Sequence, residues 1–241
     1  MRRCGIVLAA AMFAATSVVA QDFTEDQIKD LALQAILENP QIVMEAVAIL
    51  EAQDKARKAN QSSALLSSRR DVLERDPNAS VLGNADGDVT IVEFFDYNCP
   101  YCKRVKPEIQ ALLASDPNIR LVYREWPILG EGSVFAARAA LAARNQGKYE
   151  EFHWAMMGLQ GRAEEASILE AAAEIGLDVD KLRADMDAPE ISEHIQTSME
   201  LAAALGFNGT PSFVIGDALI PGFVETAQLE GYVATARAVG E

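Results

Sequence analysis

Val89-Thr-Ile-Val-Glu-Phe-Phe95, followed without a break by Asp96-Tyr-Asn-Cys99-Pro-Tyr-Cys102-Lys103, is the stretch that decides the fold. Its first seven residues are mostly β-branched or aromatic and read as a buried strand. A helical pattern follows from Lys103 to Ala114, with Pro107 inside it. Strand, Cys-x-x-Cys, helix is an arrangement that activates a thiol. The helix start leaves unpaired N–H groups and the positive end of the macrodipole beside the first sulfur. Cys99 should therefore titrate well below the ~8.5 of a free thiol. Cys102 lies about one helical turn further on, close enough to close a disulfide with it. Cys99 is the candidate nucleophile and Cys102 the candidate resolving thiol.

Two plainer readings compete. A zinc site needs about four ligands, and the only histidines, His153 and His194, stand far apart without ligand spacing. A structural disulfide between Cys99 and Cys102 would close too short a loop to constrain much of the unfolded chain. The strand-to-helix context favours redox chemistry.

The first twenty residues read as a cleavable signal peptide. Arg2 and Arg3 precede an apolar run from Ile6 to Ala15, and Val18-Val19-Ala20 precedes Gln21. The alternative is an uncleaved anchor, although the run is short for a membrane span. Cleavage after Ala20 would remove Cys4 and leave Cys99 and Cys102 as the only cysteines. An exported, periplasmic protein with a lone Cys-x-x-Cys works on the cysteines of other proteins more readily than it staples itself. The net charge of −15 argues against nucleic acid as a partner, because phosphates demand a basic surface.

Residues 21–75 are helical in pattern. Thr24 is placed as an N-cap, and Ile28, Leu31, Ala32, Ala35 and Ile36 recur at helical spacing. Asn39-Pro40 restarts the pattern, and Ile42, Val43, Ala46, Val47, Ile49 and Leu50 form an apolar stripe. The reading is an amphipathic hairpin, then a long, poorly buried helix. The stripe either packs on the main domain or pairs with the same stripe in other subunits. Turn residues place the domain boundary near Asp76, with a short strand from Ser80 to Leu82. Ile119 to Glu125 reads as a second buried strand. Five helices then fill about 131–205, where alanine, leucine and methionine positions read as core. His153 and Trp154 are expected to pack, and His194 to be exposed. Thr210 to Gly216 and Ala218 to Gly222 read as strands, and a helix closes the chain from about Thr226 to Val239. Without the helical block the order is β-α-β, then β-β-α, the thioredoxin topology with a helical insert.

In Glu93-Phe-Phe-Asp-Tyr-Asn-Cys-Pro-Tyr-Cys102, the five-helix insert and Gly209-Thr-Pro-Ser-Phe-Val-Ile-Gly216, the chain resembles the DsbA-type branch of the thioredoxin superfamily. The resemblance runs from about Val81 to the C-terminus. It implies a thioredoxin-like α/β fold over 76–241 and a thiol:disulfide oxidoreductase with no cofactor beyond the redox-active disulfide. It implies a cis-proline at Thr210-Pro211 beside the cysteine pair, with Pro100 and Tyr101 completing the substrate-binding face. It also implies a buried acid at Glu93 that exchanges a proton with Cys102; the other reading of Glu93 is a solvated strand-edge carboxylate. Tyr101 stands where strongly oxidising relatives carry His, which implies a less stabilised thiolate and a less oxidising disulfide. Thr210 resembles the isomerase side of the superfamily.

The segment from Phe23 to Leu50, with Ala35-Ile-Leu-Glu-Asn-Pro-Gln-Ile42, resembles that of ScsC-like proteins, which use it to oligomerise. It implies a homo-oligomer, a trimer favoured. Expected partners are exported proteins with thiols or disulfides and a membrane redox partner that the sequence does not identify. Apolar residues near Phe95, Tyr97 and Phe213, with the Thr210-Pro211 backbone, are expected to hold an extended peptide. Two rival readings are a copper-handling protein binding Cu(I) through Cys99 and Cys102, and a scaffold that only keeps the fold.

Overall fold

The computed structural model describes residues 23–240, so the signal-peptide reading and Cys4 lie outside the described residues. The chain divides into two compact units between Ala56 and Arg57, ahead of the boundary read at Asp76. The first unit contains helix α1 (Glu25–Glu38) and the start of α2 (Gln41–Arg75). Thr24 and Gln27 form a capping box: the Gln27 amide donates to the Thr24 hydroxyl at 3.3 Å, and Gln27 Oε1 accepts from the Thr24 amide at 3.0 Å. Asn39-Pro40 separates the two helices as the sequence implies, but α2 then runs unbroken to Arg75. None of α1 is buried, and Ile42, Val43, Val47, Ile49 and Leu50 of the stripe are all exposed.

The second unit is built on a five-stranded sheet in the order β1-β3-β2-β4-β5. The strands are β1 (Ser80–Gly83), β2 (Val89–Phe95), β3 (Ile119–Glu125), β4 (Ser212–Ile215) and β5 (Ala218–Pro221). Only β2 and β3 run parallel, joined by α3 (Pro100–Ser115). The remaining pairs are antiparallel. Both faces of the sheet are covered, and the two-residue period of the strands divides their side chains between two cores. Ile91, Phe95, Leu121 and Tyr123 join the core shared with α3 and the helical insert. Val92, Phe94 and Val122 face the other way, toward Leu201, Leu205 and Phe207.

Between β3 and β4 lie α4 (Glu131–Ala143), α5 (Tyr149–Gly158), α6 (Glu165–Glu174), α7 (Val179–Asp185) and α8 (Pro189–Ala204), and α9 (Thr226–Gly240) closes the chain. The alanine-rich α4 is buried along most of its length. Ala136, Ala139, Ala140, Ala142 and Ala143 show no exposed surface, which lets its neighbours approach closely.

The end of α2 departs from the expectation of a poorly buried helix. Leu66 and Leu73 are each only 1 % exposed and belong to the second core. The final carbonyls of a helix have no partner within it. Here arginines of β3 supply one: Arg124 donates to Val72 and Leu73, and Arg120 to Glu74 at 2.7 Å. Arg124 is fully buried and pairs with Asp76 at 2.6 Å.

The same carboxylate oxygen faces His194 Nδ1 at 3.0 Å, while His194 Nε2 faces Glu125 at 2.8 Å. His194 is therefore fully buried rather than exposed. The helical pattern placed it on α8 but gave no sign that two carboxylates, at 76 and 125, would meet it. Burial opposes its charge, but the bonds to Asp76 and Glu125 outweigh that and hold its pKa above the ordinary imidazole value.

Candidate active site

β2 is the central strand, and the motif begins where it ends. The loop is fixed by side chains reaching far along the chain. The Asp96 carboxylate accepts from the amides of Asn98 (2.7 Å), Ile128 (2.8 Å) and Leu129 (3.0 Å). Asn98 donates to Ser133 Oγ and the Ala163 carbonyl, both at 3.1 Å, and accepts from the Ala163 amide at 2.7 Å. Lys103 Nζ donates to the carbonyls of Leu159 and Gly161. These contacts tie the loop and the first turn of α3 to the helical insert.

Cys99 is the N-cap of α3 and Pro100 occupies its first turn, where a missing N–H costs no helical bond. Both cysteines are thiols here and both are buried, Cys99 at 4 % exposure and Cys102 at 1 %. Their electrostatics differ in sign. A hydrogen bond from Cys102 is the largest cause lowering the Cys99 pKa from 9.0 to about 6. Partial burial opposes it, and Thr210 with the backbone at Tyr101 and Cys102 assists. Burial, the Cys99 bond and the charges of Glu93 and Cys99 all push the Cys102 thiol up.

Glu93 is 2 % exposed, so it is not a solvated strand-edge acid. It sits inside β2, opposite Tyr123 and Phe213 on the two neighbouring strands. Burial first, and then the Cys99 charge, raise its pKa from 4.5 to about 8.

The Thr210–Pro211 peptide is cis, and the Thr210 carbonyl accepts from the Cys99 thiol at 3.2 Å. Ser212 Oγ, bonded to the Gly209 carbonyl at 2.7 Å, and the Gly222 amide, bonded to the Pro211 carbonyl at 2.8 Å, hold this loop in place. The structure thus gathers Glu93, Cys99, Pro100, Tyr101, Cys102, Thr210 and Pro211 at one end of the sheet. Tyr101 is 56 % exposed.

It does not bring Phe95, Tyr97 and Phe213 to the surface: each is at most 1 % exposed and none can hold a peptide. Alternation along β2 and β4 turns Phe95 and Phe213 into the core. Tyr97 is covered by His153, whose Nδ1 lies 3.0 Å from its hydroxyl. His153 packs as expected, and burial holds its pKa down at about 3. Sequence reasoning missed Asp96 and Asn98. Their one local signal is that such residues favour turns.

The profile of the DSBA-like thioredoxin domain matches residues 90–234. The chain belongs to that family. Among solved structures, a thioredoxin-like oxidoreductase from Silicibacter pomeroyi DSS-3 is 66 % identical, with a TM-score of 0.70 over 70 % of this chain and 98 % of that one. The thiol-disulfide exchange protein alpha-DsbA2 from Wolbachia pipientis is 33 % identical, with a TM-score of 0.69 over 75 % and 97 %. A linker-deletion variant of Proteus mirabilis ScsC is 26 % identical, with a TM-score of 0.69 over 93 % and 100 %. Curated relatives of this DSBA-like chain include an Na(+)/H(+) antiporter NhaA 1 from Salinispora arenicola, 33 % identical over 56 % of this chain. The match spans only 21 % of that antiporter's length. No helix among the described residues is long and apolar enough to cross a membrane.

Proposed function

We propose that this DSBA-like chain is a thiol:disulfide oxidoreductase acting on the cysteines of exported proteins in the periplasm. The observation that carries the reading is the opposed tuning of two neighbouring thiols, Cys99 downward and Cys102 upward, beside a buried carboxyl. A thiolate attacks and leaves better than a thiol.

In the reducing direction the Cys99 thiolate attacks a substrate disulfide. A Cys99–substrate bond forms, the substrate S–S bond breaks, and one substrate thiolate departs. Cys102 then gives its proton to the ionised form of Glu93, which a pKa of about 8 keeps within reach of neutral pH, and attacks Cys99 Sγ. The mixed disulfide breaks, Cys99–Cys102 closes, and the substrate leaves as a dithiol once its two thiolates have taken one proton from Glu93 and one from water. The reverse sequence oxidises a substrate dithiol. The Thr210–Pro211 loop, with its carbonyl already at Cys99, offers backbone to an extended substrate. The periplasmic location rests on the leader-like residues 1–20, and association of subunits on the solvent-facing stripe of the first unit.

The test is trapping. Cys102→Ser protein should accumulate mixed disulfides with substrates, since attack proceeds and resolution cannot, whereas Cys99→Ser protein should accumulate none. More trapped partner on Cys99→Ser than on Cys102→Ser would reverse the roles, and none on either would overturn the reading.

A further inference from the structure

Beside the redox pair, between the start of α3 and the α5–α6 connection, lies a cleft of about 640 Å³. Asn98 and Pro100, the residues on either side of Cys99, line it together with Lys103, Lys106 and Arg162. Three cations around one cleft, with no carboxylate in its described lining, run against a chain that carries 36 acidic residues and 21 basic ones. The cations come from two elements far apart in sequence, so folding rather than a local basic run assembles them.

Their existing bonds leave capacity. An ammonium has three donors; Lys103 uses two on the carbonyls of Leu159 and Gly161, and Lys106 uses one on that of Trp154. Arg162 donates to the Leu129 carbonyl at 2.7 Å and meets Glu164 at 3.2 Å. Both side chains of that ion pair are more than half exposed, so it is weak and a competing carboxylate can displace it. Lys103 and Arg162 repel: after burial, the Arg162 charge is the second cause depressing the Lys103 ammonium. An anion between them would relieve both.

We infer that this cleft is a specificity site for the exchange reaction, binding carboxylate side chains that flank the reacting cysteine of a peptide substrate. The inference rests on the oxidoreductase reading and adds to it the chemical class of the preferred substrate. Charges of this kind act through encounter and orientation, so they appear in the second-order rate of exchange.

The test is single-turnover oxidation of two peptide dithiols by the disulfide form of the full chain, which is itself the oxidant. One peptide carries Glu on both sides of its reacting cysteine and the other carries Gln. The Glu/Gln rate ratio is compared between the parent, Arg162→Gln, Arg162→Lys and Lys106→Gln, so that any intrinsic difference between the peptide thiols cancels. Lys103 is left intact because it ties the loop to the insert. The expected result is a roughly two- to fivefold lower ratio in Arg162→Gln and in Lys106→Gln, with Arg162→Lys retaining the parent ratio. The parent's preference should also vanish at about 1 M salt, where the screening length falls to about 3 Å. An equal ratio in all four proteins, or one indifferent to salt, overturns the inference and leaves the oxidoreductase reading standing. Failure of the parent to oxidise either peptide overturns the oxidoreductase reading itself.

Discussion

At Cys99 the ordinary thiol pKa of 9.0 falls to about 6, and the leading cause is a single hydrogen bond from Cys102. Alkylation of reduced protein should therefore show a midpoint near pH 6. Cys102→Ala should move it up toward 9, while Cys102→Ser, which keeps a donor, should hold it lower. A midpoint unchanged by Cys102→Ala would assign the lowering to the helix start instead. Glu93 acts in the opposite sense. Its folded pKa of about 8 exceeds its ordinary 4.5, so its contribution to stability is complete below 4.5 and lost as pH rises through 8. The depressed Cys99 contributes stability above 9, and loses it as pH falls through 6. Glu93→Gln should remove the first effect and stabilise the fold at pH 7 by on the order of 2–3 kcal/mol, read from urea midpoints across pH. The two cysteines were legible because their chemistry is local, four residues after a strand. Asp96 and Asn98 were not, because their partners at 128, 129, 133 and 163 become neighbours only after folding.

Among the elements, α2 shows best where periodicity succeeds and where it stops. The apolar stripe after Pro40 is visible as a stripe, but the helix end looks polar because only Leu66 and Leu73 anchor it in the core and its other contacts run from carbonyls to arginines. Arg124→Met should destabilise the protein by about 3–5 kcal/mol, since it leaves the Val72 and Leu73 carbonyls at the C-terminal end of α2 without their buried donor and Asp76 with His194 as its remaining side-chain partner. Arg120, with a single bond to Glu74, should matter less when changed to Met. Chemical denaturation of both variants checks the order; equal losses would remove the special role of the buried guanidinium. His194 adds a pH signature. Its raised pKa gives stability that is present below 6.5 and lost as pH rises through the folded value, so His194→Gln should flatten the profile there.

For the whole molecule, the boundary between Ala56 and Arg57 changes how the role of the N-terminal unit can be measured. Removal through Arg75 would also strip Leu66 and Leu73 from the second core, and each buried leucine lost costs about 2–5 kcal/mol. Removal through Ala56 spares them. That shorter truncation should keep its denaturation midpoint while its mass in sedimentation falls from that of an oligomer to that of a single chain. Full-length protein sedimenting as a single chain would rule association out. Isomerisation of scrambled ribonuclease should fall with the mass, because several sites around one substrate raise the effective concentration of a second attack. The fold class was legible at this scale because the insert separates two halves whose strand patterns stay intact.

The sheet register has a practical corollary. Glu125, the last strand residue before the helical insert, pairs with Phe95, and Ser212, the first strand residue after it, pairs with Phe94. Both junctions thus flank the same end of β2, two strand spacings or about 10 Å apart. The intervening block can be treated as a cassette. Grafting the corresponding residues of a relative between Trp126 and Thr210 would exchange Arg162 and its wall of the cleft while Cys99, Cys102, Glu93 and Thr210 stayed in place. Chimaeras of this kind would separate the inheritance of substrate choice from that of redox poise.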